Sequence, residues 1–308
     1  MTSIPQVSVV MSVYNGGATL RSSIQSVLSQ QGVELEFIIV DDGSTDASAA
    51  ILDEFARADS RVCIVRQENR GLTRALIRGC ALAKGKYIAR QDCGDLSLPG
   101  RLRDEHRAIE SEVQAALISC GTRFVGPQGE TLYEVTISED DVTAGLLTLD
   151  LRRLRGPAHH GCVLFRRELY ERVGGYREQF YFAQDLDLWI RLAEQGRHVA
   201  LPDVLYQASF APGSIGGVYR SRQIACAKLI LEGARLRRAG LDEAETLARA
   251  ATIVPERKKA TSMDRAAALY FIGACLRDRA DPRARQYFRD ALRANPLHLK
   301  SAMRLLMG

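Results

Sequence analysis

Acidic side chains that directly follow apolar runs are the residues of this sequence best suited to chemistry. Asp42 follows one such run, Asp92 and Asp95 follow another, and Asp185 begins a helical pattern. A carboxylate in such a place can accept a charge-assisted hydrogen bond from a ring N–H group. A small set of carboxylates can hold a divalent cation together with phosphate oxygens, and a single carboxylate can take a proton from a hydroxyl group.

The elements that must position these carboxylates alternate between short apolar strands and amphipathic helices. Strands are predicted at residues 7–13, 37–40, 62–65 and 87–89, with helices between them. This alternation is typical of βαβ units in a largely parallel sheet, whose ligands bind at the carboxyl ends of the strands. We therefore expect Tyr14-Asn15, Asp41-Asp42, and Asp92 with Asp95 to converge on one crevice.

Composition and motifs exclude several classes of protein. No GxGxxG or GxxxxGKS pattern follows a predicted strand, which argues against a dinucleotide-dependent dehydrogenase and a P-loop NTPase. The net charge of +5, from 42 basic and 37 acidic residues, is too mild to indicate nucleic-acid binding. It does suit a substrate that carries phosphates.

Four ordered segments carry a family resemblance: VSVVMSVYNGG (7–17), IIVDDGSTD (38–46), GKYIARQDCGDLSLPGRL (85–102) and GGYREQFYFAQDLDLWIRL (174–192). Together with HHGCVLFRRELYERVGGY (159–176), they resemble the inverting glycosyltransferases of family 2 over about residues 5 to 215. The resemblance implies the α/β GT-A fold of nucleotide-diphospho-sugar transferases, with a mostly parallel central sheet flanked by helices. We expect this domain at residues 1–218 and an all-helical region at residues 219–308.

The resemblance implies a nucleotide site at the ends of the first two strands. Asp42 would accept the ring N–H of uracil, Tyr14 would stack on the base, and Ser12 and Asn15 would also contact the nucleotide. A carboxylate is a suitable acceptor for that single donor. The alternative is that Asp42 only shapes a turn and caps the next helix.

The resemblance also implies a metal site. It places the metal-binding carboxylate on Asp95, with Mn²⁺ or Mg²⁺ as the ion, whereas Asp92 would orient the loop or reach the ribose. The family usually has a further carboxylate where this chain has Gly94, which puts full metal dependence in question. The alternative is a solvated acidic turn.

Asp185 is the catalytic base that the resemblance implies, since inverting transfer needs a base for the acceptor hydroxyl. Gln184 replaces an acidic residue that is usual in the family, and with His160 it is placed on the acceptor side. For His159 and His160 a loop-ordering role is favoured over a catalytic or metal-binding one. The alternative for Asp185 is that it only caps its helix and favours the helix dipole.

The last part of the chain shows helical periodicity only, with helices predicted at 223–239, 242–252, 263–279, 283–294 and 297–307. Residues 266–296 resemble one tetratricopeptide repeat. We expect this tail to pack on the catalytic domain and to offer a surface for a protein partner or for self-association. Its arginine-rich face, at positions 283, 285, 289 and 293, is either a solvated helix face or a peripheral contact with an anionic membrane surface.

The cysteines and the apolar segments indicate the compartment. The seven cysteines include no CxxC pair, so a disulfide framework or a zinc site is not expected and a reducing environment is. No signal peptide pattern or stretch of about 20 apolar residues is visible. We expect a cytoplasmic protein, at most peripheral at the inner face of the membrane.

The resemblance therefore implies transfer of a sugar from a nucleotide-sugar donor, of the UDP type, to a hydroxyl of a glycan or lipid-linked acceptor in surface polysaccharide biosynthesis. A second interpretation, prompted by Gly94 and Gln184, is a member without catalytic activity that binds nucleotide or glycan and acts through its helical tail. A third is a nucleotidyltransferase, which the scarcity of basic residues after the first strand disfavours.

Overall fold

The protein is described from a computed structural model that covers residues 4–137, 142–210, 219–255 and 261–306. In chain order the elements are β1 (Val7–Val13), α1 (Leu20–Leu28), β2 (Leu35–Asp41), α2 (Ser48–Ala58), β3 (Val62–Arg66), α3 (Leu72–Ala81), β4 (Tyr87–Arg90), β5 (Leu96–Ser97), α4 (Arg101–Ser111), β6 (Ala115–Val125), β7 (Thr131–Val135), α5 (Val142–Leu147), β8 (Val163–Arg166), α6 (Arg167–Arg172), α7 (Gln184–Ala193), β9 (Arg197–Ser209), α8 (Arg220–Arg238), α9 (Ala244–Ala251), α10 (Ser262–Asp278), α11 (Ala284–Ala294) and α12 (Leu299–Leu306).

A nine-stranded sheet organises these elements, in the order β3-β2-β1-β4-β8-β6-β9-β5, with β7 beside β6. The strands β3, β2, β1 and β4 are parallel, whereas β8 runs antiparallel to both β4 and β6. Because β1 lies between β2 and β4, the carboxyl ends of three adjacent strands meet at one edge. The convergence expected from the sequence is thus built into the strand order.

Apolar spacing explains why the helices of this part pack on the sheet. In α1, Leu20, Ile24 and Val27 recur at helical spacing and are fully buried. They join a core that includes Val9 and Phe37 from the strands. Burying an aliphatic or aromatic side chain of this size contributes about 1.5–3 kcal/mol, so the strands and helices that carry the site are held by a continuous apolar core.

The predicted elements agree with the structure in most places, and the largest difference is β9. The sequence analysis contains no strand at residues 197–209, yet this is the longest strand that the structure describes. Pro202 and Asp203 interrupt its apolar pattern, and both are exposed. A strand with an interrupted pattern gives only a weak periodic signal.

Two compact units are distinguished by their internal contacts: Met1–Thr122, Val135–Ala208 and Ala225–Val254 form the first, and Arg123–Glu134, Ser209–Ile224 and Pro255–Gly308 form the second. The predicted domain boundary after residue 218 stays a prediction, since residues 211–218 lie outside the described ranges. All the predicted site residues belong to the first unit.

The second unit contains the packed helix pair α10 and α11. Phe288 of α11 packs so closely on α10 that a Cβ at Gly273 would lie 2.7 Å from its ring. Leu132 of β7 and Ile272 of α10 complete a small apolar core. The hydroxyl of Tyr287 donates a buried hydrogen bond to Glu130, which ties α11 to the turn before β7.

Candidate active site

The loops that follow β1 and β2 are fastened to each other. Asn15, in the left-handed backbone region with φ 53°, accepts a 2.8 Å hydrogen bond from Thr45 N and donates its own N–H to Ser44 Oγ. Tyr14 projects beside this junction with 54% of its surface exposed, and Ser12 is half-buried at the end of β1. An exposed aromatic ring on a fixed loop is suited to stacking on a flat ligand.

Asp42 is buried, and its carboxylate is engaged by the protein itself. It accepts hydrogen bonds from Gln67 Nε2 at 2.7 Å, from Arg70 N at 2.9 Å and from Gly71 N at 2.8 Å. Three of about four acceptor positions are therefore used. Asp42 holds the segment between β3 and α3, and a base can reach only the acceptor capacity that remains. Its neighbour Asp41 accepts from Ser44 N, at 2.9 Å.

Asp92, Asp95 and His159 lie together beyond the carboxyl end of β4. Each offers one ligand atom, and these atoms lie within 4.8 Å of one another. Tyr206 of β9 fixes the group, because its hydroxyl donates to Asp95 Oδ2 at 2.9 Å and accepts from Asp92 N at 3.1 Å. Its ring also stacks on His159, with 5.5 Å between the ring centroids.

The donor set fits a divalent cation. Nδ1 of His159 accepts a hydrogen bond from Gly161 N, so it carries a lone pair, and it lies 3.5 Å from Asp95 Oδ2. Carboxylate oxygens and imidazole nitrogens both serve as ligands of divalent metal ions, and a bound ion would take the Nδ1 lone pair from the Gly161 N–H group. Two carboxylates and one imidazole leave further coordination positions for phosphate oxygens and water.

A buried arginine keeps Asp92 charged. Arg90 donates to Asp92 Oδ1 at 2.7 Å, and its own side chain is fully buried. Burial by itself would raise the pKa of Asp92, but the attraction of the Arg90 guanidinium outweighs it and the pKa is lowered. The carboxylate is therefore ionised and ready for a cation at neutral pH.

Backbone geometry accounts for the two glycines of this region. Gly94 has φ 100°, a conformation that other residues rarely adopt, so a carboxylate residue at this position would be strained. Gly161 has no room for a side chain, since a Cβ there would lie 1.9 Å from the Tyr206 hydroxyl oxygen. The backbone at Gly94 thus disfavours a carboxylate residue, and His159 stands beside the two aspartates.

His160 and Gln184, which were predicted on the acceptor side, are both buried. Nε2 of His160 lies 2.8 Å from the Tyr176 hydroxyl and accepts a 3.4 Å bond from Arg90 Nε. Burial, helped by the charge of Arg90, lowers the pKa of His160 to about 4. This neutral imidazole therefore accepts a hydrogen bond from Arg90 and helps to hold the Arg90 side chain in place.

Asp185 lies in the first turn of α7 and is half-buried. Its Oδ1 accepts from Leu186 N at 2.9 Å, as a residue near a helix N-terminus can. Asp187, by contrast, is buried in an ion pair with Arg191.

Sequence reasoning named His159 but favoured a loop-ordering role over a metal-binding one, because its separation of 64 positions from Asp95 carries no motif signal. It missed Tyr206, which lies on the strand that was not predicted, and Arg90, which follows the apolar run at residues 87–89. Only the pairing of a histidine with a following glycine, at His160-Gly161, marked the neighbourhood.

None of the helices that the structure describes is long and apolar enough to cross a membrane.

Comparison with known proteins agrees with this architecture. Residues 8–174 match the sequence family described as glycosyl transferase family 2. The putative glycosyltransferase EpsE of Bacillus subtilis is 32% identical over 212 residues, which cover 67% of this chain and 74% of EpsE. The amylovoran biosynthesis glycosyltransferase AmsE of Erwinia amylovora is 29% identical over 203 residues, covering 64% of this chain and 74% of AmsE.

Solved structures share the fold at low sequence identity. Residues 1–349 of S. aureus TarS in complex with UDP align with a TM-score of 0.58 and 17% identity, over 92% of this chain and 82% of that one. The mannosyltransferase PcManGT from Pyrobaculum calidifontis, in complex with GDP-Man and Mn²⁺, aligns with a TM-score of 0.58 and 19% identity, over 99% of this chain and 84% of that one. The chain has the GT-A fold and belongs to glycosyltransferase family 2.

Proposed function

We propose that this protein is an inverting glycosyltransferase that moves a sugar from a UDP-sugar to a hydroxyl group of a glycan or lipid-linked acceptor, in the biosynthesis of a surface polysaccharide. The observation that carries the proposal is the group formed by Asp92, Asp95 and His159 at the strand ends. The names of EpsE and AmsE and the nucleotide bound to TarS support the choice of pathway and donor.

The donor nucleotide would occupy the crevice at the ends of β1 and β2. Tyr14 would stack on the base, and Ser12 and Asn15 would line its edge. Asp42 remains the proposed acceptor for the ring N–H of uracil, through the capacity that Gln67, Arg70 and Gly71 leave.

Asp92, Asp95 and His159 would hold the divalent ion, with Asp92 also near the ribose. When bound, such an ion neutralises charge on the diphosphate leaving group. An imidazole ligand favours Mn²⁺ over Mg²⁺, which is usually held by oxygen ligands. The Mn²⁺ in the PcManGT complex is consistent with this choice.

Asp185 would act as the catalytic base. It would take the proton of the acceptor hydroxyl while the hydroxyl oxygen forms a bond to the anomeric carbon. The bond from that carbon to the diphosphate oxygen breaks on the opposite face, so the configuration inverts. Buried His160 and Gln184 would shape the floor below the acceptor.

A member without catalytic activity is the competing function, favoured by the non-acidic Gly94 and Gln184. The active transferase and the inactive member differ in whether the protein turns over a nucleotide-sugar donor. We expect release of UDP from one of the common UDP-sugars in the presence of Mn²⁺ and a hydroxyl acceptor, and loss of release after chelation with EDTA.

Two single-residue variants serve as test and control in this assay of UDP release. Asp95→Asn should lose Mn²⁺-dependent turnover, whereas Asp203→Asn, a change at an exposed carboxylate, should behave as the wild type. If wild-type protein binds UDP but releases none from any donor tested with glycan and lipid-linked acceptors, the proposal of an active transferase is wrong.

A further inference from the structure

The last helix of the second unit has two apolar faces, and only one of them is packed. Leu305 of α12 packs against the core of the second unit, and Ser301 is buried. Leu299, Met303 and Leu306 lie on a different face, because positions i, i+4 and i+7 of a helix share one side. They are exposed by 74%, 58% and 87%.

This face continues into the preceding loop. Leu297 stands just before the helix and is 78% exposed. Four large apolar side chains therefore meet solvent within ten residues of chain. Single exposed apolar residues are ordinary, but a contiguous set of this kind marks a contact surface. We call these four residues the α12 apolar face.

Basic residues lie near the α12 apolar face, on α12 itself and on the neighbouring helix. Lys300 and Arg304 stand one helical position after Leu299 and Met303, on the flank of the face. Helix α11, which packs against α12, exposes Arg285, Arg289 and Arg293 at intervals of four residues.

The charge of this segment differs in sign from that of the rest of the chain. Residues 255–308 carry 12 basic and 5 acidic side chains, whereas residues 1–254 carry 30 basic and 32 acidic ones. The excess of positive charge is thus concentrated in the segment that holds the α12 apolar face.

We propose that the α12 apolar face is a docking surface for an anionic lipid bilayer. A short helix with exposed leucines and methionine beside basic side chains can lie in the headgroup region, with its apolar face toward the acyl chains. Each basic side chain near an anionic surface adds attraction. A second copy of this chain is a poorer occupant, since two segments of like charge would repel each other.

Vesicle sedimentation tests the proposal on the full chain. The probes are vesicles of phosphatidylcholine alone and vesicles that also contain roughly one-third phosphatidylglycerol, an anionic lipid. We expect the protein to sediment with the mixed vesicles only, and to be released as salt concentration rises.

Two variants separate the apolar and the charged contribution. Leu299→Ser/Met303→Ser/Leu306→Ser should weaken binding to the mixed vesicles by about tenfold or more, and Lys300→Gln/Arg304→Gln should weaken it by at least about threefold. Val113→Ser/Leu241→Ser is the matched control, because both side chains are exposed and apolar but lie outside this face. The control should bind as the wild type.

Three results would overturn the proposal. One is wild-type protein that stays in the supernatant with mixed vesicles. Another is an equal loss of binding in the control variant. The third is a wild-type protein that does not bind vesicles and is a dimer by light scattering, together with a triple serine variant that is a monomer. UDP release with a soluble acceptor should be unchanged in every variant, so the outcome is independent of the transferase proposal.

Discussion

Tyr206 is the residue whose contacts explain most about the metal group. The Tyr206 hydroxyl donates to the Asp95 carboxylate and accepts from the backbone N–H of Asp92. One face of the Tyr206 ring packs on His159. Arg101 lies against the same ring, 4.8 Å from its centroid. A single side chain thus sets the positions of all three candidate ligands. Groups that orient metal ligands in this way commonly matter almost as much as the ligands.

Replacing that hydroxyl should weaken metal binding more than folding. We expect Tyr206→Phe to raise the Kd for Mn²⁺ by about tenfold, because Asp95 loses a donor and the Asp92 loop loses its acceptor. Titration of the free protein with Mn²⁺, followed by electron paramagnetic resonance, measures this directly. Tyr87→Phe is the control, since it removes a hydroxyl that bonds Glu110, outside the metal group. An unchanged Kd in Tyr206→Phe would show that Tyr206 does not position the ligands.

Among the helices, α7 carries the proposed catalytic carboxylate, Asp185, and a structural carboxylate, Asp187, two residues apart. Asp187 pairs with Arg191 one turn later and lies 3.7 Å from Arg177. Arg177 in turn pairs with Glu243, close to the start of α9. Burial lowers the pKa of Arg191, and the charge of Asp187 opposes this shift. The ion pairs fix the orientation of α7 and thereby the position of Asp185.

Breaking this buried pair should cost stability. We expect Asp187→Asn to lower the free energy of unfolding by about 3 kcal/mol, because Arg191 would keep its charge in a buried place without its partner. Chemical denaturation measures the loss. Glu54→Gln, which breaks an exposed pair with Arg21, should cost much less. Equal losses in the two variants would contradict a structural role for Asp187.

The elements also show what sequence reasoning can reach. Strands β1 to β4 were predictable because each is dominated by apolar residues, and the parallel order of these strands brings the polar residues after them to one edge. For the second half of the sheet, the strand at β8 was predictable from its apolar run, but its antiparallel position between β4 and β6 was not. Strand β9 was missed because its apolar pattern is interrupted. The contribution of β9 to the site through Tyr206 was invisible for the same reason. The use of the Asp42 carboxylate by Gln67, Arg70 and Gly71 depends on loop geometry that no spacing encodes.

At the scale of the whole molecule, one buried histidine should make folding sensitive to acid. His198 lies in β9, with Nε2 2.8 Å from Ser119 Oγ, and burial lowers its pKa to about 3. In the unfolded chain the pKa of histidine is about 6.5. Between these values the unfolded state binds more protons, so stability decreases as the pH falls.

A comparison of two proteins isolates this contribution. Between pH 6.5 and about 4, the free energy of unfolding of the wild type should fall more steeply than that of His198→Gln, by up to about 1.4 kcal/mol per pH unit. Urea denaturation at several pH values gives both slopes. Parallel slopes would mean that His198 does not account for the acid sensitivity.

We propose that this chain, as a whole, catalyses sugar transfer with Asp185 as the base. The most direct measurement compares wild type and Asp185→Asn with the active UDP-sugar, determining the Kd for UDP by calorimetry and the rate of transfer to the acceptor on the same samples. We expect similar UDP affinity in both proteins and a transfer rate about 10²- to 10⁴-fold lower in Asp185→Asn, because a positioned base is removed. Transfer by Asp185→Asn at the wild-type rate would contradict the claim.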